Sequence, residues 1–146
     1  MDANTIEIDD LTTDFYKAIS FQNGEDPDFS QLDILFYGDG LMVNNNFRDP
    51  LSFTTESFIH AMESQVASGD IEQFMEREIF SKTEIFGSVA YRVSVYEYNF
   101  ADHELHRLPR GINFMQFVKA EGNWRILSMA WCDENENHVI PAEYLH

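Results

Sequence analysis

The sequence predicts an α+β domain in which helices near the amino end pack on one face of a curved antiparallel sheet made by the rest of the chain. Three observations carry this. The last third holds two apolar, β-rich runs, Arg110 to Lys119 and Trp124 to Trp131, separated by the polar Ala120-Glu121-Gly122-Asn123 break that suits a tight hairpin reversal. From Phe74 onward the pattern shifts to long β segments, Phe74 to Lys82 and Ser88 to Phe100, where Val89, Tyr91, Val93 and Val95 alternate with Ala90, Arg92, Ser94 and Tyr96. Before Phe74, three segments carry helical spacing and end signals.

In the first, Asp10 is placed to cap a helix carrying Leu11, Phe15, Ala18 and Ile19, and Asn23-Gly24 ends it. After the acidic turn Glu25-Asp26-Pro27-Asp28, Ser30-Gln31-Leu32-Asp33 has the Ser-x-x-acid form of a short capped helix bearing Leu32, Leu35 and Phe36. Gly38-Asp39-Gly40 closes it, Leu41 to Asn44 reads as a short strand, and Asn44-Asn45-Asn46 with Asp49-Pro50 reads as a loop. The third helix has the clearest ends: Thr54 as N-cap, Phe53 and Phe58 spaced for a hydrophobic staple, and Ser68-Gly69 as the stop. Its buried stripe is expected at Phe58, Ile59, Met62 and Val66.

A chain of 146 residues, 44% hydrophobic and 14% aromatic, can fill one core, so a single domain is expected over 1–146 with its packed part at about 9–134. The 26 acidic against 9 basic side chains give a net charge of −17, which repels a phosphate backbone and argues against nucleic acid as a partner. No apolar run approaches the roughly 20 residues needed to cross a bilayer, and the first ten residues lack the features of a secretory signal. A cytoplasmic protein without a membrane partner is the expectation. Cys132 is the only cysteine, which excludes an internal disulfide, and it has no evident histidine partner in the sequence.

Phe15-Tyr16-Lys17-Ala18-Ile19, Gly40-Leu41-Met42-Val43-Asn44, Arg110-Gly111-Ile112-Asn113 and Trp124-Arg125-Ile126-Leu127-Ser128 together resemble the nuclear transport factor 2-like (NTF2-like) superfamily, in particular its SnoaL-like or ketosteroid-isomerase-like branch. The resemblance implies a cone-shaped curved sheet on three amino-terminal helices, opening onto a mostly apolar pocket. Ketosteroid isomerase uses a carboxylate base and an oxyanion hole made by a tyrosine and a protonated aspartic acid. Carried across, the tyrosine falls at Tyr16, the base near Asn44 and the acid at Asn113, so both carboxylates are missing. An amide cannot accept a substrate proton at neutral pH, which excludes that mechanism at Asn44.

Tyr16 and Asn113 remain candidate hydrogen-bond donors to an oxyanion, with a locally satisfied core tyrosine and sheet amide as the alternative. If Asn113 faces inward, alternation puts Met115 and Phe117 beside it, and the hairpin partner adds Met129, Trp131 and Asp133. Asp133 is then the best remaining carboxylate for proton transfer, against its reading as a solvated turn residue just past the strand. His60 borders the buried stripe of the third helix and is a second proton-transfer candidate. Arg110 is a candidate holder for an anionic group, or a surface ion pair. His103 and His106 fall in a polar loop without a third ligand, so no metal and no cofactor are expected.

These readings define a binding protein for a small hydrophobic or amphipathic molecule, lined by Tyr16, Asn44, Met62, Arg110, Asn113, Met115, Phe117, Met129 and Trp131. One alternative is a lyase, isomerase or cyclase acting in the same pocket. The other is a dimeric interaction module, since bulk on both faces of the strands suits a homodimer formed through the sheet.

Overall fold

The computed structural model describes residues 2–100 and 108–146. Along the chain come helix α1 (Ala3–Ala18), a 3₁₀ segment (Phe29–Ile34), strands β1 (Met42–Asn44) and β2 (Leu51–Phe53), helix α2 (Thr55–Ser68), strands β3 (Met75–Phe86), β4 (Val89–Asn99), β5 (Arg110–Ala120) and β6 (Asn123–Asp133), and a 3₁₀ turn (Ala142–Tyr144). The strands form one sheet in the order β2-β1-β6-β5-β4-β3. Neighbours are antiparallel except β1 and β6, which run parallel, so the sheet is mixed where an all-antiparallel one was expected. The α+β class and the order of helices before meander are as expected.

Several boundaries differ from the sequence reading. Helix α1 is capped by Asp2, whose carboxylate accepts from the Thr5 amide at 2.8 Å, and not by Asp10. Its first turn is anchored through Asn4, whose Oδ1 accepts from the Trp124 indole and from Lys119 Nζ, both at 3.0 Å. Ile8 is fully buried, so packing reaches beyond residue 9 at this end. The helix stops at Ala18 rather than at Asn23-Gly24, because Phe21 pairs its backbone with Phe74. The second helix is a 3₁₀ segment capped by Asp28, and Ser30 donates to that carboxylate. β2 lies just after the run read as a loop, and pairs with β1.

Helix α2 has the ends its sequence indicates. Thr54 and Ser57 form a reciprocal capping box, the Phe53 and Phe58 rings sit 5.6 Å apart, and Gly69 takes φ +82° at the stop. The β5–β6 reversal places Glu121 at φ +52° and Gly122 at φ +82°, the left-handed pair a two-residue hairpin turn requires.

The core lies between α1, the 3₁₀ segment and the inner sheet face, and Met115, Phe117, Trp124, Ile126 and Met129 fill it. A bulge between Glu78 and Phe80 shifts the phase of β3. Before it, Glu76 and Glu78 lie opposite the inward Tyr98 and Tyr96; after it, Phe80 lies opposite Val95, on the outer face. There the carboxyl-terminal segment crosses the sheet, with Tyr144 stacked 5.9 Å from Phe80 and the Ile140 amide donating to Glu134 at 2.8 Å.

Arg92 is the buried charge of the inner face, 3% exposed. Its guanidinium grips Glu78 through two nitrogens, at 3.0 and 2.5 Å, and reaches Asp9 of α1 at 2.7 Å and Thr83 Oγ1 at 2.9 Å. Glu78 also accepts from Ser94, and Ser94 in turn accepts from the Tyr16 hydroxyl at 2.7 Å. Asp9 and Tyr16 are both on α1, so one polar chain fixes the helix to the sheet at two points. Arg92→Leu leaves Glu78 without its counter-charge and is expected to destabilise the fold by about 3–5 kcal/mol in urea unfolding, whereas Arg92→Leu combined with Glu78→Leu recovers most of that loss. Equal losses in the single and double variants would contradict the pairing.

Candidate functional site

Strand register sets out the inner face as rows of cross-strand neighbours. One row holds Ser81, Ser94, Asn113, Trp131 and Asn44; the next holds Glu78, Tyr96, Gly111 and Asp133; beyond it Glu76 faces Tyr98. The rows on the other side, with Ala90, Met115 and Phe117, are the filled end of the sheet. The polar rows form its other end, which we call the throat.

Asp133 sits at the centre of the throat. It is the last residue of β6, half-buried, and not a turn residue beyond the strand. Its two oxygens accept from the Tyr96 and Tyr98 hydroxyls, each at 2.5 Å. Gly111 makes this possible: a β-carbon there would collide with the Tyr96 hydroxyl and with the Cys132 carbonyl, so the missing side chain is the space in which Tyr96 crosses β5 to reach β6. Burial, then the bond to Asp133, raises the Tyr96 hydroxyl above the ordinary tyrosine range, and Tyr98 is raised for the same reasons. Both phenols therefore stay protonated and hold the carboxylate.

Glu76 is the residue that sequence reasoning missed. It is half-buried on the inner face, and its carboxyl makes no hydrogen bond or ion pair with any described residue. Burial, reinforced by the negative charge of Asp133, pushes its pKa up to about 8. Its charge is also felt by Tyr16, Tyr96 and Tyr98, which places it among all three phenols. Glu76 falls inside the β segment read from Phe74 to Lys82, where only its period-two spacing with Glu78, opposite Tyr98 and Tyr96, hints at an inward face.

The expected site residues divide clearly. Tyr16 is buried and donates to Ser94, while burial first and Glu76 second raise its pKa above the ordinary range. Asn113 is 3% exposed, with Nδ2 3.5 Å from the Met129 sulfur and Oδ1 without a partner. Trp131 is half-buried and meets Phe58 edge-on at 6.3 Å, which brings it beside α2, where Met62 is also half-buried. Met115, Phe117 and Met129 face inward as alternation requires but are packed core, 1–2% exposed. Asn44 uses its side chain to accept from the Asn46 amide at 3.0 Å. Arg110 pairs with Glu134 at 2.7 Å. His60 is exposed on α2. His103 and His106 lie outside the described residues.

Cys132 does have a histidine neighbour, contrary to the sequence reading: His138 Nε2 lies 3.4 Å from its sulfur and 2.9 Å from the Asp133 carbonyl. The carbonyl can only accept, so Nε2 carries the proton and cannot serve as base to the thiol. These residues line a groove of about 320 Å³ on the outer face, with Ile112, Phe114, Ala130, Val139 and Ile140.

The Glu76 shift has a thermodynamic consequence. The folded chain keeps this proton to about pH 8, whereas the unfolded chain releases it near the ordinary 4.5, so the group's stabilising contribution is complete below pH 4.5 and lost as pH rises to 8. Glu76→Gln is expected to match the parent in urea unfolding at pH 4.5 and to exceed it at pH 8 by on the order of 4 kcal/mol. A gain independent of pH would contradict the assignment.

No family model and no curated protein matches this sequence. Solved structures do. One from Nostoc punctiforme PCC 73102, a protein of unknown function with a cystatin-like fold, superposes with a TM-score of 0.71 at 14% identity, over 93% of this chain and 95% of that one. An NTF2-like protein of unknown function from Silicibacter pomeroyi DSS-3 gives 0.62 at 19% identity, over 90% and 96%. A proposed calcium/calmodulin-dependent protein kinase II association domain from Xanthomonas campestris gives 0.66 at 13% identity, over 92% and 91%. Helices on the inner face of a curved, unclosed six-stranded sheet, shared with these structures over nine-tenths of its length, give this chain the NTF2-like, or cystatin-like, fold.

Proposed function

We propose that the chain binds a small molecule in the throat, with Glu76, Asp133 and the tyrosine pair as its polar contacts and Phe53, Phe58, Phe74, Met62 and Trp131 as its apolar ones. The observation that carries this is the Glu76 carboxyl, which has no partner among the described residues. A buried polar group without a partner costs free energy, and a fold that keeps one at a half-open position gains from a ligand that satisfies it. The rest of the inner face is either packed core or already hydrogen-bonded, so the throat is where a ligand has most to offer. The site is more polar than the family resemblance implied.

A second reading has one specific observation in its favour. A carboxyl poised near pH 8 beside a tyrosine-held carboxylate is suited to proton transfer, so an enzyme of the lyase, isomerase or cyclase type would use Glu76 as acid or base and Asp133 to keep its proton in place. Tyr16 donates to Ser94 and serves this reading only as a positioning residue. His60 has no part in it.

Association through the outer sheet face is a further part of the proposal. Val89, Tyr91 and Phe114 are exposed there, and a similar structure named as an association domain is compatible with it. The carboxyl-terminal segment lies over the Phe80 side and beside Ile112 and Ala130. A cytoplasmic setting agrees with the single, unbridged Cys132.

Native mass spectrometry of the protein purified from cells, beside Glu76→Gln and Trp131→Ala, tests the leading reading. A co-purifying small molecule is expected in the parent and lost from both variants. A molecule retained in both, or bound only when the outer groove is intact, would overturn it.

A further inference from the structure

The chemistry of the throat narrows the ligand class, on the reading that a small molecule binds there. Three guanidiniums on the strands around it already have a carboxylate: Arg92 holds Glu78 and Asp9, Arg110 holds Glu134, and Arg77 holds Glu97, while Arg125, at the far end of β6, donates to the Trp124 carbonyl. Glu76 and Asp133 have no basic partner among the described residues. The groups facing Glu76 are Asp133 from β6, Tyr96 and Tyr98 from β4, and Tyr16 from α1, so every one is acidic or phenolic. An anionic ligand would meet this arrangement with nothing among the described residues to neutralise it.

Around the carboxyls stand two groups of aromatic rings. Phe53, Phe58 and Trp131 pack edge-on at 5.6 and 6.3 Å, and Phe74, Tyr98 and Phe100 pack at 5.1 to 5.8 Å. Ring faces attract cations within about 6 Å, most strongly where water is scarce. A separate observation points the same way: Asn113, 3% exposed and in the throat row beside Trp131, has an Oδ1 with no donor among the described residues. That oxygen can take only an N–H or O–H from whatever enters. The net charge of −17 further raises the local concentration of cations.

We propose that the throat takes an organic ammonium cation with an apolar or aromatic body, its charged head between Glu76 and Asp133 and its body against the two ring groups. A neutral carbonyl compound is the competing occupant, since a protonated Glu76 could donate to it. The two differ in the sign of their pH dependence. A cation prefers ionised Glu76 and displaces its proton, so affinity rises with pH; a carbonyl prefers the protonated form, so affinity falls.

Isothermal titration calorimetry with 2-phenylethylamine, 4-phenyl-2-butanone and 3-phenylpropionate, at about pH 6 and about pH 8, separates these outcomes. The amine stays protonated at both values. It is expected to bind about 50-fold more tightly at the higher pH and to release a proton on binding, while 3-phenylpropionate does not bind. Glu76→Gln is expected to remove the pH dependence and to weaken binding at the higher pH at least tenfold; Asp133→Asn weakens it at both. Tighter binding of the ketone than of the amine, with affinity falling as pH rises, would overturn the cation assignment and leave the throat as a binding site. Amine binding that is indifferent to pH and to both substitutions would overturn the assignment and the throat site together.

Discussion

The fate of one buried guanidinium governs this structure. Glu76 and Glu78 project from β3 to the same inner face, yet Arg92 can neutralise only one of them. It takes Glu78 in a two-nitrogen grip and reaches across to Asp9, while Ser94 links the same carboxylate to Tyr16. Helix α1 is thereby fixed over the sheet by an ion pair whose Asp9 end is exposed and by a buried hydroxyl relay. Desolvating those charges is costly, and the geometry must be good for the network to hold. What remains is Glu76, on the same face without a counter-ion among the described residues.

The throat follows from that asymmetry. Burial lets Glu76 keep its proton to about pH 8, and the charge of Asp133 reinforces the effect. Asp133 stays in place because two phenols donate to it, and Tyr96 can be one of them only because Gly111 leaves room for its ring. An acid that holds its proton therefore faces a carboxylate fixed by donors, with aromatic rings on both sides. Such a surface is unfavourable when empty and favours a ligand that satisfies it.

Much of the fold was legible in local pattern. The β5–β6 hairpin, the capping box of α2 and the shared inward face of Asn113, Met115, Phe117 and Asp133 all follow from period-two alternation and end signals. Helix α1 was misjudged at its start because the Asp2 cap stands ahead of the apolar run that begins at Leu11, and its first turn is held by a tertiary bond, the Trp124 indole donating to Asn4. β2 is three residues long and follows Asp49-Pro50, too short for periodicity to register. The site was harder. The β3 bulge turns Phe80 outward and Glu76 inward, the reverse of what hydrophobicity suggests, and Met115 and Met129 face the right way but fill the core instead of lining an opening.

The central claim is that an uncompensated carboxyl stands inside the sheet, and nuclear magnetic resonance tests it most directly. Following the Glu76 side-chain carboxyl carbon through a pH titration should give a midpoint near 8, far above the ordinary 4.5. A midpoint near 4.5 would mean that water or an unrecognised cation already satisfies the group, and the account of the throat would fail.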